Sequence, residues 1–228
     1  MRFRIAPAVG VGMTALALAT TVTVPAGAQD DRLAPAHSAS TASLAKAHPA
    51  AGTTCYSQLD NDNGVGIVSQ NFTHVDDAYD SQAADDFRLT RDCKVTGVQV
   101  SGVYFEGKGP ADSVNVWIYR SAQREPGKVV SVQRKLDYRD RSGSGNLRIT
   151  LASPVALSPG TYWVSVQANM AYTAGGEWGW NTNNTVRGTG AKWHNPSDGF
   201  GTGCTKYQNL KKCLADSEGG DFSFAILR

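Results

Sequence analysis

The 228-residue sequence predicts an all-β protein, an antiparallel β-sandwich of jelly-roll type fastened by two disulfides. Three observations predict it. Apolar and polar residues alternate with a period of two through most of the chain. Turns rich in Gly, Pro and Asp separate the alternating runs, and no stretch sustains a helical period. Four cysteines, an even number, follow a leader of the kind carried by exported chains.

The alternating runs come in order along the chain. "KVTGVQVSGVYFEG" (94–107) comes first, followed by "SVNVWIYRS" (113–121), in which Val114, Val116 and Ile118 share one face while Asn115, Trp117 and Tyr119 share the other. "KVVSVQRKL" (128–136), "NLRITL" (146–151), "TYWVSVQAN" (161–169) and "DFSFAIL" (221–227) read the same way. Pro159-Gly160 is a turn pair leading into a β-rich run, and Asn63-Gly64 reads as a hairpin turn. Eight to ten short strands are expected.

The ends of the chain set the compartment. Residues 1–28 carry Arg2 and Arg4, then an apolar Ala-rich stretch, then Pro25-Ala26-Gly27-Ala28. This order is that of a secretory signal peptide cut after Ala28, so the expected location is secreted and extracellular. Residues 29–54 are mostly Ala, Ser, Thr and Pro with no aromatic residue, a composition that buries too little apolar surface to offset ordering, and they read as a flexible linker or pro-segment. Residues 55–228 hold all five tryptophans and all four cysteines and form the sandwich domain. Four cysteines allow three pairings. Cys55–Cys93 with Cys204–Cys213 is favoured because each pair is nearest along the chain.

Charge excludes some partners. Lys and Arg number 22 against 20 Asp and Glu, and the excess is Arg2 and Arg4 of the leader, so the remainder is neutral. A neutral domain has no electrostatic footprint for nucleic acid, and no later apolar stretch is long enough to hold the cleaved chain in a membrane.

Three constellations could carry chemistry. Trp178 and Trp180 are two apart, on one face of a strand, and with Trp193 and the amide of Asn181 they predict a surface on which sugar rings stack. Asp76, Asp77, Asp80, Asp85 and Asp86 lie within eleven residues, a density of carboxylates that a Ca²⁺ ion would compensate. An acid/base pair of a hydrolase would need His194 with Asp198, or Asp86 with Glu177. No Gly-x-Ser-x-Gly elbow, His-Glu-x-x-His or phosphate loop accompanies them.

The succession of "QAADDFRLT", "VTGVQVSGVYF", "VNVWIYRS" with a following Glu-Pro-Gly, "LSPGTYWVSVQ" and a Trp-rich segment resembles the β-sandwich accessory domains of secreted bacterial proteins, similar to pre-peptidase C-terminal-type modules. The resemblance implies an extracellular module, stand-alone or accessory, and no catalytic residues. The functional expectation is a non-catalytic binding module for polysaccharide or cell-surface glycan. A secreted hydrolase and a Ca²⁺-stabilised structural or adhesion protein are the alternatives.

Overall fold

The structure is a computed structural model, and it describes residues 53–228 except 216, together with the backbone strand Ser38–Ala39. The predicted signal peptide and most of the predicted linker lie outside the described residues. Within the linker, Ser38 and Ala39 pair with Gly66 and Val65.

In chain order the strands are β1 (Ser38–Ala39), β2 (Thr54–Gln58), β3 (Asp62–Val68), β4 (Gln70–Asn71), β5 (Gln82–Leu89), β6 (Cys93–Val100), β7 (Gly102–Phe105), β8 (Ser113–Ala122) and β9 (Glu125–Leu136). There follow β10 (Tyr138–Arg139), β11 (Leu147–Leu157), β12 (Gly160–Asn169), β13 (Glu177–Asn183), β14 (Lys192–His194), β15 (Gln208–Asn209), β16 (Asp221–Phe222) and β17 (Phe224–Leu227). A 3₁₀ turn (His74–Tyr79) and two single-turn helices, α1 (Tyr172–Gly175) and α2 (Leu210–Cys213), complete the described elements.

The strands form three sheets, almost entirely antiparallel. The first runs β1-β3-β13-β16, with β7 also on β13; the second runs β10-β11-β6-β17-β2; the third runs β15-β14-β5-β12-β8-β9, with β4 parallel to β12. The all-β, sandwich-like class and both cystines are as the sequence predicts. The pairings establish that class and leave the jelly-roll order unassigned.

Two of the expected strands bend from one sheet into another. The run 94–107 breaks at Ser101 into β6 of the second sheet and β7 of the first, and 221–227 breaks at Ser223 into β16 and β17. The two corners meet, since Ser101 N donates to Ser223 O at 3.0 Å and Asn181 N donates to Ser101 O at 2.9 Å. Strands that change sheets in this way close the edge between two packed layers.

The tryptophans fasten this corner. Trp180 stacks on Phe222 with ring centroids 4.8 Å apart, and its Nε1 donates to Ser223 O at 3.0 Å. Trp178 Nε1 donates to Gly145 O at 2.9 Å. Gly102 is required beneath it: a Cβ there would stand 2.7 Å from Trp178 Nε1 and 2.8 Å from Gly145 O. Burying an indole while satisfying its N–H combines a large apolar contribution with no unpaired donor.

Asn63-Gly64 is not a hairpin turn. β2 belongs to the second sheet and β3 to the first, so the chain crosses between layers here, turning at Asp60-Asn61 with Asn61 at φ 57°. Asn63 and Gly64 lie inside β3, where Asp62 Oδ1 accepts from Gly64 N and Asn63 Oδ1 accepts from Val65 N. These are side-chain turns, the local alternative to a ladder that Asp and Asn offer.

Candidate functional site

Period-two alternation in the third sheet sorts its side chains onto two faces. The inward set, Val114, Val116 and Ile118 of β8 and Val164, Val166 and Ala168 of β12, is buried in the main core. The outward set is unusual for a solvated sheet face because it is aromatic and amide-rich.

Register places this outward set in rungs. One rung runs Val129, Tyr119, Trp163, Asp86 across β9, β8, β12 and β5; the next runs Val132, Trp117, Ser165, Ala84, Lys192 and reaches β14. A third carries Asn115 opposite Gln167, and Gln82 opposite His194. Asn169 then faces Ser113 on one side and Asn71 on the other.

The amides at the far end satisfy one another. Asn115 Nδ2 donates to Asn169 Oδ1 at 2.8 Å and to Gln167 Oε1 at 3.2 Å, while Asn169 Nδ2 donates to Ser113 Oγ at 2.9 Å. A satisfied network of this kind holds a surface rigid. Nearer the centre, Gln82 Nε2 donates to Ser165 Oγ at 2.9 Å and Tyr119 Oη at 3.3 Å, which leaves its Oε1 to accept from His194 Nε2 at 3.3 Å. Burial pushes His194 down to about 4, so its imidazole is neutral and able to donate in this way.

Two elements frame the face. The first is the β8–β9 hairpin, whose two-residue turn, Gln123-Arg124, has φ of 51° and 65°. Positive φ at both positions is the signature of a type I′ turn, usually made by Asn and Gly, and two ordinary residues here carry strain. The tip reaches back over the sheet: Arg124 Nε donates to Thr189 Oγ1 at 3.3 Å and Glu125 Oε1 lies 3.5 Å from Lys192 Nζ. Trp163, although outward, is thereby fully buried, with Nε1 donating to Ser121 Oγ at 3.1 Å. The second is the segment after β14, which brings Tyr207 onto His194 (4.2 Å between ring centroids) and edge-on to Tyr119 (6.2 Å). Cys204–Cys213 closes this segment. Trp117 and Tyr207 are the partly buried rings of the face, the Tyr207 hydroxyl being buried, and the Arg134 guanidinium lies over the Trp117 ring, 5.5 Å from its centroid.

This face replaces the surface expected from Trp178, Trp180 and Trp193, all three of which are 0 % exposed. The three are core: a strand interposed between layers is buried on both sides, so spacing alone could not say which face of β13 met solvent. Trp193 points inward from β14, and its Nε1 donates to Val68 O at 2.8 Å. Asn181 is 4 % exposed and turned to Ser101 and Asp62 at the sheet corner, so it is architecture too.

The five aspartates do not converge. Asp76 and Asp77 sit in the 3₁₀ turn, where Asp77 meets the exposed His74 at 3.2 Å. Asp80 accepts from Phe72 N at 2.7 Å. Asp85 and Asp86 are neighbours on β5 and therefore point to opposite faces. Among the described residues no group of three or more His, Cys, Asp or Glu side chains is placed to hold a metal ion.

The two hydrolase pairs also fall apart. Asp198 builds its own loop, with Oδ1 accepting from Gly203 N at 2.8 Å, while His194 is engaged by Gln82 and Tyr207. Asp86 accepts from Thr189 N at 2.7 Å on the third sheet, whereas Glu177 starts β13 in the first.

Burial gives two of the expected site residues, Asp85 and Glu177, another role. Asp85 is fully buried and accepts from Gln58 Nε2 (2.8 Å), Phe222 N (2.7 Å) and Asp86 N (2.8 Å). Burial first, and the Asp221 carboxylate second, push Asp85 well above the usual range, and burial raises Asp221 as well. Glu177 is 0 % exposed, neither of its oxygens meets a donor, and burial followed by the nearby Glu106 pushes it up to about 8. Compared with known protein families, with curated proteins and with solved structures, the chain matches none of them.

Proposed function

We propose that the chain is an exported, non-catalytic module that binds carbohydrate on the outward face of the third sheet. The observation that carries this reading is the position of Trp117 and Tyr207, partly buried rings flanking Tyr119 on a face that also carries the amides of Gln82, Asn115, Gln167 and Asn169 and the hydroxyl of Ser165. Sugars offer apolar C–H faces to rings and hydroxyls to amides, and sites that combine both fix them in orientation. Export is supported by the two cystines, which persist in oxidising compartments, and no described helix is long and apolar enough to cross a membrane.

Affinity electrophoresis and calorimetry against a panel of soluble polysaccharides test the reading. Trp117→Ala is expected to lower affinity for the retained polymer at least tenfold, about 1.4 kcal/mol, with the melting temperature little changed. Trp180→Ala, by contrast, should cost about 3–5 kcal/mol of stability because it empties the core. Retention of no polymer, or full affinity in Trp117→Ala, sinks the proposal.

A further inference from the structure

We infer that the sugar taken by this face is acidic, a carboxylate-bearing (uronate) polysaccharide; the inference rests on the carbohydrate reading above and narrows it. The chain outside the leader is neutral, yet charge is not evenly spread over it. The outward face of the third sheet and its hairpin tip carry Arg88, Arg124, Arg134 and Lys192 against Asp86 and Glu125.

Each carboxylate there is already engaged. Glu125 pairs with Lys192 at 3.5 Å. Asp86 is 4 % exposed and accepts from Thr189 N at 2.7 Å, with Arg124 close enough to favour its charge. Arg88 and Arg134 are exposed, and among the described residues neither has a carboxylate within ion-pair distance. The face therefore presents guanidinium groups that its own acids do not answer.

Arg134 is the better placed of the two. Its guanidinium lies over Trp117, 5.5 Å from the ring centroid, a cation–π distance that keeps it beside the ring while the exposed side chain leaves its N–H groups to a ligand. A carboxylate is the planar, bidentate complement of those groups. A uronate residue would set its carboxylate on Arg134 beside the ring row of Trp117, Tyr119 and Tyr207. The amides rigidify the surface behind it. A neutral sugar would leave that guanidinium unpaired.

The test uses the whole chain with alginate and polygalacturonate, each beside its methyl-esterified form, by calorimetry at low and at physiological salt. Methyl esters keep the backbone of the polymer and remove its charge. The expected result is affinity at least tenfold higher for an acidic polymer than for its ester, falling with salt, and reduced at least tenfold in Arg134→Gln while Trp117→Ala loses both forms. Arg134 is exposed, so Arg134→Gln should keep the wild-type melting temperature, and Arg134→Lys, which keeps the charge without the fork, should restore only part of the affinity. Equal affinity for acid and ester, with Arg134→Gln unchanged, overturns the inference and leaves the carbohydrate reading standing. Binding of no polymer, esterified, acidic or neutral, overturns both.

Discussion

Glu177 is the residue most out of keeping with its surroundings. A buried carboxyl without a donor is tolerated when it is neutral, and burial keeps it so up to about pH 8. The consequence has a definite sign. In the unfolded chain this carboxyl ionises near 4.5, so between about 4.5 and about 8 the folded state binds the extra proton and stability falls as pH rises, levelling off above that window. Glu177→Gln removes the titration. Wild type and variant should melt together near pH 4.5, and at pH 9 the variant should be more stable by on the order of a few kcal/mol. Parallel melting profiles from pH 4.5 to 9 would show that Glu177 is not held neutral. His194 acts with the opposite sign: desolvation lowers it to about 4 in the fold against 6.5 in the unfolded chain, so it makes stability rise with pH between those values, a slope that wild type and Glu177→Gln share and that cancels in their comparison.

At the scale of elements, the two cystines do different work. Cys55–Cys93 spans 38 residues and ties β2 to the start of β6, whereas Cys204–Cys213 spans nine and closes the segment that delivers Tyr207 to the outward face of the third sheet. Loop-closure entropy grows with the logarithm of loop length, so removing the long bridge by paired Cys→Ser substitution should cost about 4 kcal/mol and the short one about 3 kcal/mol. Only the short bridge should affect binding: its loss lets Tyr207 leave His194 and Tyr119, and glycan affinity should drop while hydrogen exchange speeds up in residues 195–212. Unchanged affinity after its removal would place Tyr207 outside the site. The exposed edge strand β9 shows how the fold protects itself. Val129, Val130 and Val132 are exposed, but Pro126, Lys128 and the register irregularities along its pairing with β8 discourage another strand from adding to it.

For the whole molecule, the buried carboxyls act together. Asp85, Asp221 and Glu177 are all raised, each by burial first, and Asp80 is raised to about 6 for the same reason. A group raised in the fold binds more protons there than in the unfolded chain, so every one of them lowers stability as pH rises from the ordinary carboxylate range through its own raised value. His194 opposes them only below about pH 6.5, so above that value the carboxyls act alone and the melting temperature should decline from pH 6.5 to pH 9 in calorimetry. A melting temperature that climbs over that interval would mean that these carboxyls are ionised and paired in the native state. Asp85 also shows why the position of such groups matters to the fold as a whole. It receives Gln58 of β2 and Phe222 of β16 on β5, linking one strand from each of the three sheets. Asp85→Ala would leave those donors unanswered in the interior.

The sequence by itself determined the β class and the faces of the single strands, because a period of two is a local property; it left three cystine pairings open with the nearest-neighbour one favoured, and the fold selects that one. It even put Trp117 and Tyr119 on the face of β8 opposite its core residues. Which faces meet solvent is a tertiary property, and there the local pattern misled. Trp178, Trp180 and Trp193 are buried because β13 is covered on both sides and Trp193 points inward from β14, which no spacing reveals. Asn63-Gly64 carries the local marks of a hairpin, yet it lies inside β3, and the turn before it, at Asp60-Asn61, joins strands of different sheets. The adjacent Asp85 and Asp86, close in sequence, are sent to opposite faces by the same alternation that predicts the strand. The outward face proposed to bind is assembled from β5, β8, β12 and β14 and the segment holding Tyr207, parts more than a hundred residues apart, by cross-strand register, and only the packed sheets bring those side chains into one row.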